Sequence, residues 1–382
     1  DTPGTANEIG REIGLIGKDE EPQRITGPEF AEMSHDDALA LVRNPEFSIL
    51  SRARPDDKAR LVMLLQEAGE VVAVTGDGTN DAPALSKAQI GLSMGDGTAR
   101  AKEASAITIL DNSFSSINKA ILWGRSLYMN IKRFILFQMT INVSACLIVM
   151  LGASLGIDSP LTVTQMLWVN LIMDTFAAMA LSSLPADKRV MNDKPRNPKS
   201  HIIDRSMLGN ILCFGLLFTV ILLCLWQFLW HNDVTENVGV YDLLCKTNIK
   251  DFFLGLFDFS KSKAHLSAYE AGFFFTTFVM LQFWNLFNAK YFRSGRSLLL
   301  DIFAIFKGQN MFKLTFSKWF ALIVAVILTG QIVIINFVGP LFNVAPLNVT
   351  DWLFILLSTS LVLIIVDVVR TIYFFIHNKK VV

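Results

Sequence analysis

The chain has 382 residues, 52% of them hydrophobic and 30 of them Phe, richer in apolar groups than the about 45–50% of a soluble domain. Its 34 basic and 34 acidic residues cancel, which leaves no cationic surplus for binding nucleic acid. Three of the four cysteines, Cys146, Cys213 and Cys224, fall in apolar runs and Cys245 does not. No disulfide framework is implied, and the three read as small buried hydrophobes.

The apolar excess is uneven. Residues 1–118 read as a soluble α/β domain, 119–133 as a stalk helix, and 134–382 as an all-α membrane domain. The opening DTPGTANEIGREIGLI reads as a loop running into a helix. A start at Asp1 without Met or signal peptide reads as a cut rather than a natural terminus.

Residues 47–110 alternate short strands and helices. FSILS (47–51) reads as a strand and PDDKARLVMLLQEAG (55–69) as a helix with Pro55 near its start. VVAVT (71–75) reads as a buried strand, NDAPALSKA (80–88) as a short helix, and IGLSM (90–94) and ITIL (107–110) as further strands. Such alternation implies a parallel sheet with helices on both faces.

Six stretches reach the roughly 20 apolar residues that a spanning helix needs: about 134–156, 163–184, 207–230, 269–289, 319–339 and 351–376. GNILCFGLLFTVILLCLWQFLW (209–230) is apolar on every face and too long for a soluble core helix. Lys188, Arg189, Lys194, Arg196, Lys199 and Arg205 crowd one loop, and Lys290, Arg293, Arg296, Lys307, Lys313 and Lys318 another. The tail adds Lys379 and Lys380, whereas loops 157–162 and 340–350 have no Lys or Arg and 231–268 has four in 38 residues. The positive-inside rule therefore puts both termini in the cytosol, in a lipid bilayer.

Two places carry chemistry. The string from Val74 to Leu85 ends a strand in an acidic loop, Asp77 between Gly76 and Gly78, followed by Thr79, Asn80 and Asp81. Ligands of open parallel sheets bind beyond the carboxyl ends of the strands. Two aspartates and an asparagine there suit Mg²⁺, which takes carboxylate plus substrate phosphate, and Lys58 on the preceding helix offers a point charge to a phosphate. The second place lies inside the spans. A mid-membrane charge costs about 2.5–3.5 kcal/mol on insertion scales, so Asp174 is a functional candidate by default. Asn170, four residues earlier, shares its helix face, and Asn142 lies mid-span in the preceding helix. A carboxylate and two amide oxygens make a hard-cation site. Asp367 and Arg370, three apart near the cytosolic end of the last span, read as a local ion pair.

GDGTNDAPAL (76–85) resembles the hinge motif of the P-type cation-transporting ATPases, within their haloacid-dehalogenase fold. SRARPDDKARLV (51–62) resembles their conserved lysine segment, and the opening DTPGTA resembles the continuation of their TGD motif, with Asp1 as its aspartate. The resemblance covers essentially the whole chain. It implies that Asp77 is a Mg²⁺ ligand, that Asn80 and Asp81 line the phosphate site framed by Gly76, Gly78 and Thr79, and that Lys58 contacts the phosphoryl group, with Asp1 in the same catalytic set. It implies ATP as donor, held by a nucleotide-binding domain outside these residues. The family's phosphorylated Asp-Lys-Thr-Gly-Thr occurs nowhere in the sequence, so these residues alone are expected to be inactive.

QMTINVSA (138–145) and LWVNLIMDTFAA (167–178) resemble the fifth and sixth spans of calcium pumps, and FTTFVMLQFWNLFNAK (275–290) resembles the plasma-membrane type. Ala145, Met173 and Gln282 stand where sarcoplasmic-reticulum-type pumps have Glu, Thr and Glu. The resemblance thus implies one Ca²⁺ site, from Asn142, Asn170 and Asp174 with groups from a missing span. The competing readings are a pump for H⁺, Na⁺ or Mn²⁺, and a truncated membrane remnant without catalysis. HNKKVV (377–382) follows the last span with no basic amphipathic extension, so calmodulin is not expected to act through it.

Overall fold

The computed structural model describes residues 2–17, 23–154, 161–197, 200–247, 255, 265–306 and 318–378. Asp1, and Lys199, Lys307, Lys313, Lys379 and Lys380 of the basic loops and tail, lie outside the described residues. The chain forms two compact units, residues 1–125 with 187–201, and residues 126–186 with 202–382.

The first unit opens with α1 (Pro3–Glu12), β1 (Gln23–Thr26), α2 (Gly27–Glu32), α3 (His35–Arg43), β2 (Phe47–Ser51) and α4 (Pro55–Glu67). It continues with β3 (Ala73–Gly76), a 3-10 turn at Thr79–Asp81, α5 (Ala82–Lys87), β4 (Ile90–Met94), α6 (Ala99–Ala104) and β5 (Ile107–Ile109). The chemistry at the helix starts explains several boundaries. Pro55 opens α4, where a missing N–H costs nothing, and the Asp57 carboxylate accepts the Arg54 N–H at 2.8 Å. Ser34 Oγ accepts the Asp37 N–H at the start of α3.

One parallel sheet is expected from the sequence, and two small ones form. β1 pairs with β2, and β3-β4-β5 make the second, all parallel. β3 is half-exposed rather than buried, because among the described residues it has a strand, β4, on one side only. Phe30, Ala38, Leu41 and Leu64 form the core beside the first sheet. Leu92, Ile109 and Ile117 form the core beside the second.

α7 (Phe114–Ser154) is one continuous 41-residue helix, so the expected stalk and first span are a single element. Next come α8 (Val163–Leu167), a π-helical turn at Trp168–Met173, and α9 (Asp174–Ser182). α10 (Arg205–His231), α11 (Val240–Lys246), α12 (Ala268–Lys290) and α13 (Leu298–Phe306) follow. α14 (Lys318–Phe337), α15 (Gly339–Phe342) and α16 (Val349–Asn378) complete the described chain.

Among the described residues, five helical stretches are long and apolar enough to cross a membrane: Phe114–Ser154, Val163–Ser182, Arg205–His231, Trp319–Phe337 and Val349–Ile376. The remaining stretch expected to span, 269–289, is a helix but is not among them. Its position accounts for its composition. α12 is buried along almost its whole length, packed against α16, α10 and α14. A helix shielded from lipid on all sides tolerates Gln282, Asn285 and Asn288. Cys146 and Cys213, expected as buried, are exposed on their helices.

Two aspartates of α16 hold short helices in place. Asp351 accepts the Val240 and Tyr241 N–H groups at 3.1 Å each, at the start of α11, together with the Tyr269 hydroxyl at 2.9 Å. Asp367 accepts the Leu298 and Leu299 N–H groups at 2.8 and 2.7 Å, at the start of α13. Arg370 donates to the Asn288 carbonyl at 2.9 Å. The expected Asp367–Arg370 ion pair is therefore replaced by two separate ties to backbone, since helix starts and ends offer unpaired donors and acceptors.

Candidate functional site

The acidic loop follows β3 at its carboxyl end, where the sheet's strands all point the same way. Asp81 is anchored on three sides. Lys58 Nζ donates to its Oδ1 at 2.7 Å, and the Gly78 N–H donates to its Oδ2 at 3.2 Å. Gly76 leaves room for it, because a Cβ there would stand 2.4 Å from the Asp81 Cβ. Partial burial pushes the Asp81 carboxyl upward, but the Lys58 and Gly78 hydrogen bonds and the lysine's charge outweigh it and hold the group below its ordinary value.

Asp77 differs from Asp81. Its side chain is exposed, and its backbone is pinned by the Thr98 N–H, which donates to the Asp77 carbonyl at 2.8 Å. Gly97 makes the approach possible, since a Cβ there would lie 3.1 Å from that same oxygen. Thr98 was not foreseen, yet the signal was present. Gly95-Asp96-Gly97-Thr98, at the end of β4, repeats Gly76-Asp77-Gly78-Thr79 at the end of β3. Asn80 and Thr79 are also exposed.

The structure thus joins Lys58, Gly76, Gly78 and Asp81 in one contact set and leaves Asp77, Thr79 and Asn80 open on the same loop. No three His, Cys, Asp or Glu side chains cluster as a metal cage among the described residues. Mg²⁺ needs none, because it keeps waters and binds one or two carboxylates with substrate phosphate. An exposed Asp77 beside a cation-held Asp81 fits that requirement.

The second set of candidate residues lies on α7, on the π turn and at the start of α9. Asp174 is 4% exposed, and neither carboxylate oxygen has a hydrogen-bond partner. A buried group of this kind calls for a physical explanation. Asn142 is half-buried, whereas Asn170 is exposed. The sequence puts Asn170 and Asp174 on one face of a regular helix, but Asn170 lies inside the π turn at Trp168–Met173, which ends directly before Asp174. π turns are rare and occur frequently at functional sites. Ala145 and Met173, which carry no oxygen side chains, are buried at 3% and 1%. Gln282 on α12 is fully buried with both amide atoms unpartnered.

Comparison with known proteins bears on both sites. Residues 158–372 match the family model described as cation transporting ATPase, C-terminus. Residues 59–121 match the haloacid dehalogenase-like hydrolase model. The chain is 37% identical over 358 residues to "Calcium-transporting ATPase 8, plasma membrane-type" of Arabidopsis thaliana, covering 92% of this chain and 30% of that protein. It is 34% identical over 371 residues to "Plasma membrane calcium-transporting ATPase 3" of Homo sapiens, covering 93% of this chain and 28% of that one. A third relative, "Plasma membrane calcium-transporting ATPase mca-1" of Caenorhabditis elegans, is 34% identical over 382 residues, with 96% and 28% covered. The chain therefore spans under a third of the length of these relatives.

Proposed function

The chain belongs to the cation-transporting ATPases, and we propose that it forms part of an ATP-driven calcium pump of the plasma membrane. The observation that carries this reading is Asp174, a carboxylate buried in an apolar helical bundle with both oxygens unpartnered. Such a group is costly, and its presence supports a role in ion transport. The names of the relatives supply the ion, Ca²⁺, and the membrane.

In this reading the two sites divide the work. Asp77 holds Mg²⁺, which supplies charge neutralisation at a transferring phosphoryl group. Lys58 contacts that group, and Asn80, Asp81, Gly76, Gly78 and Thr79 line its site. Asn142, Asn170 and Asp174 hold Ca²⁺. Asp1 belongs to the catalytic set by resemblance alone. Both termini face the cytosol, by the loop charges. These 382 residues by themselves carry no Asp-Lys-Thr-Gly-Thr and so form no phosphoenzyme. The test is Asp77→Asn in the full-length pump. It should abolish phosphorylation from ATP while the protein still folds and inserts. Normal phosphorylation would remove Asp77 from the mechanism.

A further inference from the structure

Two glycines in the membrane helices accept the flank of another helix. On α14, Gly330 faces the Trp168 ring, and a Cβ at Gly330 would stand 2.7 Å from Trp168 Cη2 and 3.0 Å from Cζ2. On α10, Gly215 faces Val143, and a Cβ there would stand 2.7 Å from Val143 Cγ1 and 3.1 Å from its Cβ. Neither contact is a feature of helical glycines in general. Gly124 and Gly209, also helical, have nothing within 4 Å. Glycine weakens a helix, and where one is kept, close approach of a neighbour is the usual reason.

What sits in each notch is the informative part. Trp168 is the first residue of the π turn that ends at Met173, directly before Asp174. Its indole Nε1 is buried without a hydrogen-bond partner, so packing alone fixes the ring. α9 then runs on against α14, the helix that carries Gly330. A π turn adds a residue to the turn and so sets the direction of the next side chain. Val143 is the immediate neighbour of Asn142. One notch therefore seats the residue next to Asn142 and the other the first residue of the turn that carries Asn170 and leads to Asp174, each from a helix that supplies no ligand itself.

We infer that Gly215 and Gly330 are positioning residues for the cation site, fixing α7 at Asn142 and the π turn at Asp174. The inference rests on the cation-site reading given above. Ca²⁺ is held by several oxygens at once, so moving one ligand-bearing backbone weakens the whole set.

The experiment uses the full-length pump and reads phosphoenzyme formation against free calcium, alongside turnover at saturating calcium. Gly330→Ala and Gly215→Ala should each raise the half-maximal calcium concentration roughly 10- to 100-fold, the scale of losses at groups that orient metal ligands. Turnover at saturating calcium should be retained. Trp168→Phe, which vacates the notch without crowding it, should shift the calcium dependence in the same direction and tests the seat where a glycine variant fails to fold. Gly330→Ala with Trp168→Phe, and Gly215→Ala with Val143→Ala, should recover affinity relative to the glycine variants. A merely structural role lowers the amount of folded protein and leaves its calcium dependence unchanged, and that result overturns the inference. Shifted single variants with no recovery in the pairs overturn it too. If Asp174→Asn shifts the calcium dependence and the notch variants do not, only the notches fail. If Asp174→Asn leaves it unchanged, the cation-site reading fails and the notches with it.

Discussion

Lys58 Nζ and Asp81 Oδ1 lie 2.7 Å apart and join α4 to the turn ahead of α5. The lysine side chain is 43% exposed and the aspartate 17%. Pairs this wet contribute about 0–1 kcal/mol to stability, so stabilisation is a weak reason for the contact. Lys58→Met in the full-length pump should cost about 1 kcal/mol or less in thermal stability and sharply reduce phosphoenzyme formation. A large loss of stability with phosphorylation intact would make the pair structural.

The same pair sets a pH dependence. The Asp81 carboxyl is held below its ordinary value in the fold, so its contribution is present above the unfolded value of about 3.9. It is lost as pH falls through the lower, folded value. Acid unfolding of the first unit should therefore have a component below about pH 4 that disappears in Asp81→Asn. An identical acid limb in the variant would show that other carboxylates control it.

Asp367 makes the third prediction. It is 1% exposed, and both oxygens accept backbone N–H groups at the start of α13. Asp367→Ala leaves two inward donors without acceptors, at about 1–3 kcal/mol each. The purified protein should melt at lower temperature, and protease should cut first near residues 293–306. Asp367→Asn, which keeps an acceptor oxygen, should recover part of the loss. Unchanged melting in Asp367→Ala would show that α13 does not depend on this cap.

The strands and helices of residues 47–110 were legible because apolar alternation and Pro55 are local signals. The split into two sheets was not, because β1 pairs with β2 through residues far apart in sequence. WVNLIM (168–173) reads like the helical sequence on either side of it, and nothing local distinguishes its π turn. The turn instead coincides with a contact distant in sequence, Trp168 on Gly330. The burial of Asp174 could be anticipated, since it is a lone carboxylate in an apolar run. The roles of Asp351 and Asp367 were hidden, because their partners are main-chain groups that sequence does not mark.

Topology gives the fourth prediction. Cys245 is free and exposed on α11, in the connection between α10 and α12. In the proposed topology that connection opposes the basic loops and is expected to face away from the cytosol. A charged, impermeant thiol reagent applied outside intact cells should label Cys245. Cys146 and Cys213, exposed on apolar helices, should stay unlabelled because lipid excludes the reagent. Labelling of Cys245 only after permeabilisation would reverse the orientation.

The last prediction concerns the ion and its count. Calcium takes about six to eight oxygen ligands, and the charge of the set tunes affinity. On α7 to α9 the candidate side chains are one carboxylate, Asp174, and two amides, Asn142 and Asn170, while the buried Ala145 and Met173 supply no oxygen. A second site has little to build on, so the full-length pump should occlude one calcium per phosphoenzyme. Asp174→Asn keeps the shape of the side chain and removes its charge. Packing around Met173 and Ala177, both buried, should persist, and thermal stability should hold or rise, because an unpartnered buried charge is the costlier group. Calcium-dependent phosphorylation should fall by roughly 100-fold or more in apparent affinity, in line with a loss of about 2.7 kcal/mol or more. Two measurements decide the matter, phosphorylation against free calcium and radiocalcium occluded per phosphoenzyme. Two ions per phosphoenzyme would rule out the single site. Unchanged affinity in Asp174→Asn would remove Asp174 from the ion path, and activation by Na⁺ or Mn²⁺ in place of Ca²⁺ would keep the pump and change its cargo.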